Sequence, residues 1–291
     1  MKFAIHGRKF ADNVLPHIQK LFEVLKVYEA DVIISDLFLD YLRHTKLHPI
    51  DYKVYQSSHG VPEVDFVISL GGDGTLLETV THVGPAELPI LGINTGRLGF
   101  LATVSQEMIR ETIEALYTQS CHIEERSLVQ FKADKPLFDG LDFGLNEFAI
   151  MKKDTSSMIV VHTFLDSTYL NSYWADGLIV STPTGSTGYS LSCGGPVVLP
   201  HSNNLILTPV SPHNLTVRPL VVSDKSVISF EIEGRSENFL ISLDSRSQTV
   251  DASIQMSVHK CSFYAKLVRL KGYNFMDTLR QKLNWGLDVR N

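Results

Sequence analysis

The chain predicts an α/β N-terminal domain, built on a Rossmann-like parallel sheet, followed by a β-rich C-terminal domain. Three observations carry this. Strand-like and helix-like segments alternate through the first part of the chain. From residue 120 onward, short β-branched and aromatic segments separated by turn residues replace them. Hydrophobic residues at 44% against 20% charged give the balance of a folded globular protein.

Lys2–His6 reads as the first strand. Val14, Leu15, Ile18, Leu21, Phe22 and Leu25 then recur at helical spacing, with Pro16 tolerable in a first turn. Asp31–Ser35 is a second strand, and Asp65–Leu70 a third whose unbroken apolar run suits burial on both faces. Thr75–His82 predicts a short helix, Leu88–Ile93 another strand, and Ser105–Tyr117 a helix with Ile109, Ile113 and Leu116 on one side. Such alternation implies parallel strands wrapped by helices. Beyond it, LVQFKAD, LNEFAIMKK, MIVVHTFLD, SVISFEIEG and NFLISLDS predict a mostly antiparallel domain. Phe275, Leu279, Leu283 and Leu287 stand four apart and predict a closing helix. The expected boundaries are residues 1–119 for the α/β domain, joined by a C-terminal helix 271–291, and 120–270 for the β-rich domain.

A net charge of −6 argues against a broad electrostatic grip on nucleic acid. Cys121, Cys193 and Cys261 stand far apart with no CxxC pair, which fits reduced thiols in a cytoplasmic protein. The N-terminal apolar run is too short for a signal peptide, and no later segment reads as a spanning helix. Residues 177–217 contain no Asp, Glu, Lys or Arg, yet Ser, Thr, Gly, Pro and Asn throughout them exclude a membrane segment.

Two motifs carry chemistry. The first, GGDGT, follows a buried strand, and ligands of parallel α/β sheets bind beyond the carboxyl ends of strands. Gly71, Gly72, Gly74 and Thr75 form a candidate phosphate loop in which backbone approaches an anion closely, ahead of a helix N-terminus with free N–H groups. Asp73 repels phosphate, so its place there makes sense if it orients or deprotonates an attacking hydroxyl, or helps to hold a metal. The plain alternative is a Gly-Asp-Gly turn without chemistry. Neither the GK[ST] P-loop nor GxGxxG is present.

The second motif, DGLIVSTPTGSTGYSLSCGGPVVLP at 176–200, gathers the hydroxyls of Ser181, Thr182, Thr184, Ser186, Thr187, Ser190 and Ser192 around Tyr189. Neutral donors and acceptors beside an aromatic ring suit a purine or ribose. Asp176 opens the run with a single charge.

Together these motifs resemble the NAD kinase family, with NTGRLGFL at 94–101, LNE at 145–147 and PHNLTVRPLVV at 212–222 in the expected order. The resemblance implies an active site between the two domains, and transfer of the γ-phosphoryl of ATP, or of polyphosphate, to the 2′-hydroxyl of the adenosine ribose of NAD. Carried onto this sequence, it makes Asp73 the general base with Gly74 beside it. Asn146 and Glu147 become the pair on ribose and adenine. Thr184, Thr187, Gly188, Tyr189, Ser190, Leu191 and Ser192 become the adenosine loop, and Asp176 the carboxylate near the nicotinamide. It also implies a homo-oligomer, dimer or tetramer. The negative balance of the chain predicts Mg²⁺ brought with the phosphoryl donor, and no nucleic-acid or membrane partner is expected. Glu78 stands where some members have Lys or Arg, Gly188 where Ala is common, and LDSRSQ at 243–248 where many read DGQ. Alternative readings are a lipid kinase sharing GGDGT and a non-catalytic NAD(P)-binding sensor. Arg97 is read as a phosphate contact or a solvated loop residue, His213 as structural, Asp244 and Asp251 as turn residues, and Trp174 and Trp285 as packing residues.

Overall fold

A computed structural model describes residues 1–45, 47, 52–96, 99–153 and 157–285. The chain divides into two compact units, Met1–Glu125 with Ala265–Asn291, and Arg126–Tyr264.

In the first unit the elements run β1 (Lys2–Gly7), α1 (Leu15–Val27), β2 (Asp31–Ser35), α2 (Asp36–Leu42), β3 (Tyr52–Tyr55), β4 (Phe66–Leu70), α3 (Asp73–Val83), β5 (Ile90–Asn94), β6 (Val104–Ser105) and α4 (Ile109–Tyr117). The strands are parallel in the order β3-β2-β1-β4-β5, with β6 beside β5. Side chains alternate across such strands. Phe3, Ile5, Ile68, Leu70, Leu91 and Ile93 accordingly share one core with Ile18, Leu21, Phe22 and Leu25 of α1 and Ile109, Ile113 and Leu116 of α4. On the other face Thr79 of α3 donates to Ser69 of β4 at 2.9 Å.

Sequence periodicity missed α2 and β3. Helix α2 follows β2 with no intervening loop, started by Ser35 Oγ accepting the Phe38 N–H at 3.2 Å, and its seven residues are too few to display a repeat. Three of the four residues of β3 are exposed, so no apolar run marks it.

The second unit opens within β7 (Cys121–Ala133) and continues through β8 (Phe143–Gly144), β9 (Glu147–Lys152), β10 (Ile159–Leu165), β11 (Thr168–Ala175), β12 (Gly177–Ser181), α5 (Tyr189–Ser192), β13 (Asn204–Val210), β14 (Leu220–Ser223), β15 (Ile228–Glu233), β16 (Asn238–Leu243), β17 (Arg246–Asp251) and β18 (Met256–Leu270). One antiparallel sheet has the order β14-β13-β12-β9-β16-β17. A second antiparallel set is β11-β10-β15-β18. Phe148, Ile150, Leu178, Val180, Phe239 and Ile241 of the first meet Ile159, Val161, Phe230, Ile232 and Val258 of the second in a common core. The five segments read as strands from sequence correspond to β7, β9, β10, β15 and β16.

The end of β18 belongs to the first unit, where Leu267 pairs parallel with Ile90. Helix α6 (Phe275–Leu283) follows, capped by Asn274, whose side chain accepts the Met276 N–H at 2.9 Å, and ended by Asn284 at φ 54°. It is shorter than the expected 271–291, and Leu287 lies outside the described residues. Leu279 is buried and Phe275 lies against Phe100, with ring centroids 6.4 Å apart. Trp174 and Trp285, expected as packing residues, are each about half exposed. Trp174 instead lies against the His213 ring at 4.6 Å, while its carbonyl accepts the His213 N–H. Among the described residues no helix is long and apolar enough to cross a membrane.

Candidate functional site

In the first unit β4 ends into Gly71, whose N–H bonds Ile93 O at 3.0 Å, and Gly72 is the N-cap of α3. Thr75 N–H and Leu76 N–H return to Gly72 O, so the N–H groups of Asp73 and Gly74 lie ahead of the first bonds of the helix and are open to an anion. Buried Thr75 covers Gly71: a Cβ on that glycine would stand 2.1 Å from Thr75 Oγ1.

The Asp73 carboxylate is turned onto the backbone of the following loop. Oδ2 accepts the Phe100 N–H at 2.8 Å, and Oδ1 accepts those of Leu101 and Ala102 at 3.0 and 3.1 Å. With two acceptor positions per oxygen, one remains on Oδ2. Nearby, Asn94 Oδ1 accepts the Gly96 N–H at 2.7 Å and its amide donates to Ala102 O. Asp73 is thus both a candidate reacting group and the clamp of the NTGRLGFL loop. Arg97 lies outside the described residues. Glu78 is engaged elsewhere, accepting from Arg8 Nε at 2.6 Å and lying 3.0 Å from His6 Nε2.

In the second unit Glu147 begins β9, with Asn146 just before it, beside the β16–β17 hairpin turn. Asp244, at φ 53° in that turn, accepts the N–H groups of Leu145, Asn146 and Glu147 at 2.7, 2.8 and 3.1 Å. Asp244 thus lies in a turn, as expected, and also sets the backbone of the Asn-Glu pair, whereas Asp251, likewise expected in a turn, is the last residue of β17. From the other side, Thr182 N–H donates to Asn146 O at 2.9 Å and Thr182 Oγ1 to Leu145 O at 2.6 Å. Gly185 packs so close that a Cβ would meet Asn146 O at 2.1 Å.

Held in this way, Glu147 Oε2 is buried without a hydrogen-bond partner. Burial first, then the Asp244 charge, push the Glu147 carboxyl up to about 8. The Cβ position of Gly188 stands 3.3 Å from Glu147 Oε2 and 3.7 Å from Asn146 Nδ2, so these three residues converge. Thr184 Oγ1 accepts from Arg126, a buried arginine that sequence reasoning did not single out, and Thr187 Oγ1 donates to Thr184 O. Ser190 faces inward, its hydroxyl 2.8 Å from Thr208 Oγ1, whereas Tyr189 and Ser192 are exposed and Leu191 is half-buried. Asp176 pairs with Lys152 at 2.6 Å. No local signal linked Lys152 to Asp176 or Asp244 to the Asn-Glu pair, since the partners are far apart along the chain.

Residues 23–121 match the ATP-NAD kinase N-terminal domain, and residues 145–270 match the ATP-NAD kinase C-terminal domain. The chain belongs to the NAD kinase family. It is 52% identical over 292 residues to the NAD kinase of Cytophaga hutchinsonii and 42% identical over 294 residues to that of Flavobacterium johnsoniae, with all of both chains covered in each comparison. Among solved structures, an NAD kinase from Archaeoglobus fulgidus in complex with ATP is 28% identical with a TM-score of 0.74, covering 98% of this chain and 99% of that one. Yeast NADH kinase complexed with NADH shares the fold at a TM-score of 0.88 and 21% identity, over 100% of this chain and 89% of that one. As a member of the NAD kinase family the chain is a phosphotransferase.

Proposed function

We propose that the chain transfers the γ-phosphoryl group of ATP to the 2′-hydroxyl of the adenosine ribose of NAD, giving NADP. The observation that carries this reading is Glu147 Oε2, a buried carboxyl oxygen without a partner beside the Asn146 amide and Gly188. A buried polar atom left open in this way is matched by a ligand donor, and ribose hydroxyls are donors of the right kind. In this reading Asn146 and Glu147 are the sugar contacts of the second unit, and Asp73 of the first unit, through the free acceptor position of Oδ2, is the group that serves the 2′-hydroxyl. The open N–H groups at the start of α3 receive phosphate oxygens.

ATP is favoured over polyphosphate as donor by the likeness to the Archaeoglobus fulgidus enzyme, whose structure holds ATP. Mg²⁺ brought with the donor would offset its phosphate charge, which a chain of net −6 does not neutralise by itself. The reading includes a reducing, cytoplasmic setting, which three free cysteines support, and assembly as a dimer or tetramer, which light scattering would test. Purified protein is incubated with NAD, Mg²⁺ and either ATP or polyphosphate, and NADP is detected with an NADP-specific dehydrogenase. NADP formed with ATP supports the reading. Formation with polyphosphate alone overturns the donor assignment, and tight NADP binding without turnover favours a sensor.

A further inference from the structure

Away from both constellations, His6, Glu78 and His82 bring one ligating atom each within 4.8 Å of one another, the one such grouping of histidine, cysteine and carboxylate side chains among the described residues. Glu78 and His82 are four residues apart on α3 and so share a helix face, while His6 sits near the end of β1. His6 is fully buried, His82 nearly so, and Glu78 reaches the rim. His6 Nε2 lies 3.0 Å from Glu78 Oε2, and the two imidazole rings meet edge to face at 4.5 Å.

The surroundings are those of oriented ligands. His6 Nδ1 lies 2.8 Å from Ser35 Oγ, itself fixed by accepting the Phe38 N–H, and His82 Nδ1 lies 3.4 Å from Tyr55 OH. Partners on the outer ring nitrogens set the tautomer and point the inner nitrogens at a metal. The single proton of a neutral His6 ring can sit on Nδ1, donating to Ser35 Oγ, which leaves Nε2 as a lone-pair donor without changing the ring's proton count.

We propose that His6, Glu78 and His82 form a binding site for one divalent ion of the zinc class. Two imidazoles and a carboxylate are a zinc ligand set that leaves a fourth position for water, whereas Mg²⁺ prefers oxygen throughout. The ion ties the end of β1 to the middle of α3, the helix that begins with GGDGT. Arg8 is its competitor: the largely exposed guanidinium occupies both oxygens of Glu78, at 2.6 and 2.7 Å. Binding of the ion releases that contact on Oε2 and opposes a fixed positive charge.

The test is titration of the chelator-treated full chain with Zn²⁺ and Co²⁺, followed by calorimetry, thermal melting and visible absorption. Saturation at one equivalent, a raised Tm, and cobalt d–d bands without a thiolate charge-transfer band are expected, with excess Mg²⁺ unable to displace the ion. Glu78→Gln and His82→Gln weaken binding by about tenfold or more. Because a buried variant can fail to fold, Arg8→Gln supplies a second arm at an exposed position, where binding tightens as the competitor is removed. Absence of a saturable equivalent, affinity unchanged in folded Glu78→Gln, a thiolate band from the cysteines, or weaker binding in Arg8→Gln each overturns the site.

Discussion

Asp244 holds Asn146 by its backbone, one carboxylate oxygen accepting the Asn146 N–H at 2.8 Å. The same side chain takes the N–H groups on either side, and Asp244 N–H returns to Glu147 O at 2.9 Å. In the first unit Asp73 gathers Phe100, Leu101 and Ala102 in the same way. Each unit thus shapes a loop by offering one acceptor-only side chain to three consecutive donors, a pattern that orders backbone without a helix or strand.

Asp244→Ala leaves three amides without that acceptor. Buried donors left unmade cost about 1–3 kcal/mol each and do not add fully, so a loss of about 2–4 kcal/mol in urea unfolding is expected, together with weaker NAD binding. Stability within about 0.5 kcal/mol of the wild type would show that the turn stands without Asp244.

Asp73→Asn lowers kcat by about two to four orders of magnitude, the range of a positioned general base. Gly99→Ala reproduces much of that loss without touching the acid, because its Cβ would stand 1.9 Å from Asp73 Oδ1 and must displace the carboxylate. Steady-state assays of both decide the matter: a loss under about threefold in Asp73→Asn removes the residue from the chemistry.

Glu147 makes stability depend on pH with a definite sign. Its carboxyl is pushed up to about 8 in the folded chain against an ordinary 4.5. Below 4.5 both states hold the proton and there is no effect. Between 4.5 and 8 the unfolded state ionises while the folded state does not, so stability falls as pH rises, and the loss is complete above 8. Glu147→Gln removes this term, flattening the fall by about 4 kcal/mol between about pH 5 and about pH 8.5 in urea titrations of ligand-free protein. Parallel curves for the two proteins would contradict the raised carboxyl.

Lys152→Met separates an ion pair from a ligand contact. The Lys152–Asp176 pair is partly exposed, so breaking it costs under about 1 kcal/mol of stability. With Asp176 released, NAD affinity changes by about threefold or more if this carboxylate meets the nicotinamide half, and calorimetry with NAD reads the difference. Unchanged affinity assigns the pair to the scaffold alone.

The family, the alternation of elements and the site motifs were legible in the sequence because each is a local pattern. A glycine turn after an apolar strand, hydroxyls in an uncharged run, and apolar residues at periods of two or near four need no knowledge of the fold. Helix α2 and strand β3 were not legible, the one too short and the other too exposed to show a period. Trp174 misled because hydrophobicity reports a tendency to be buried, whereas this ring lies on His213 at the surface.

The sequence by itself determined which residue types stand in the two motifs, and hence the class of chemistry. Tertiary structure alone decided what each carboxylate does. Asp73 reaches a loop 27 to 29 residues away, and Asp244 one 97 to 99 residues away. Asp176 is paired with Lys152, and Glu147 is left open. The reason is physical: a carboxylate's role depends on the donors, charges and water within a few ångströms of it, and in a sheet those neighbours come from strands that the chain order does not place side by side.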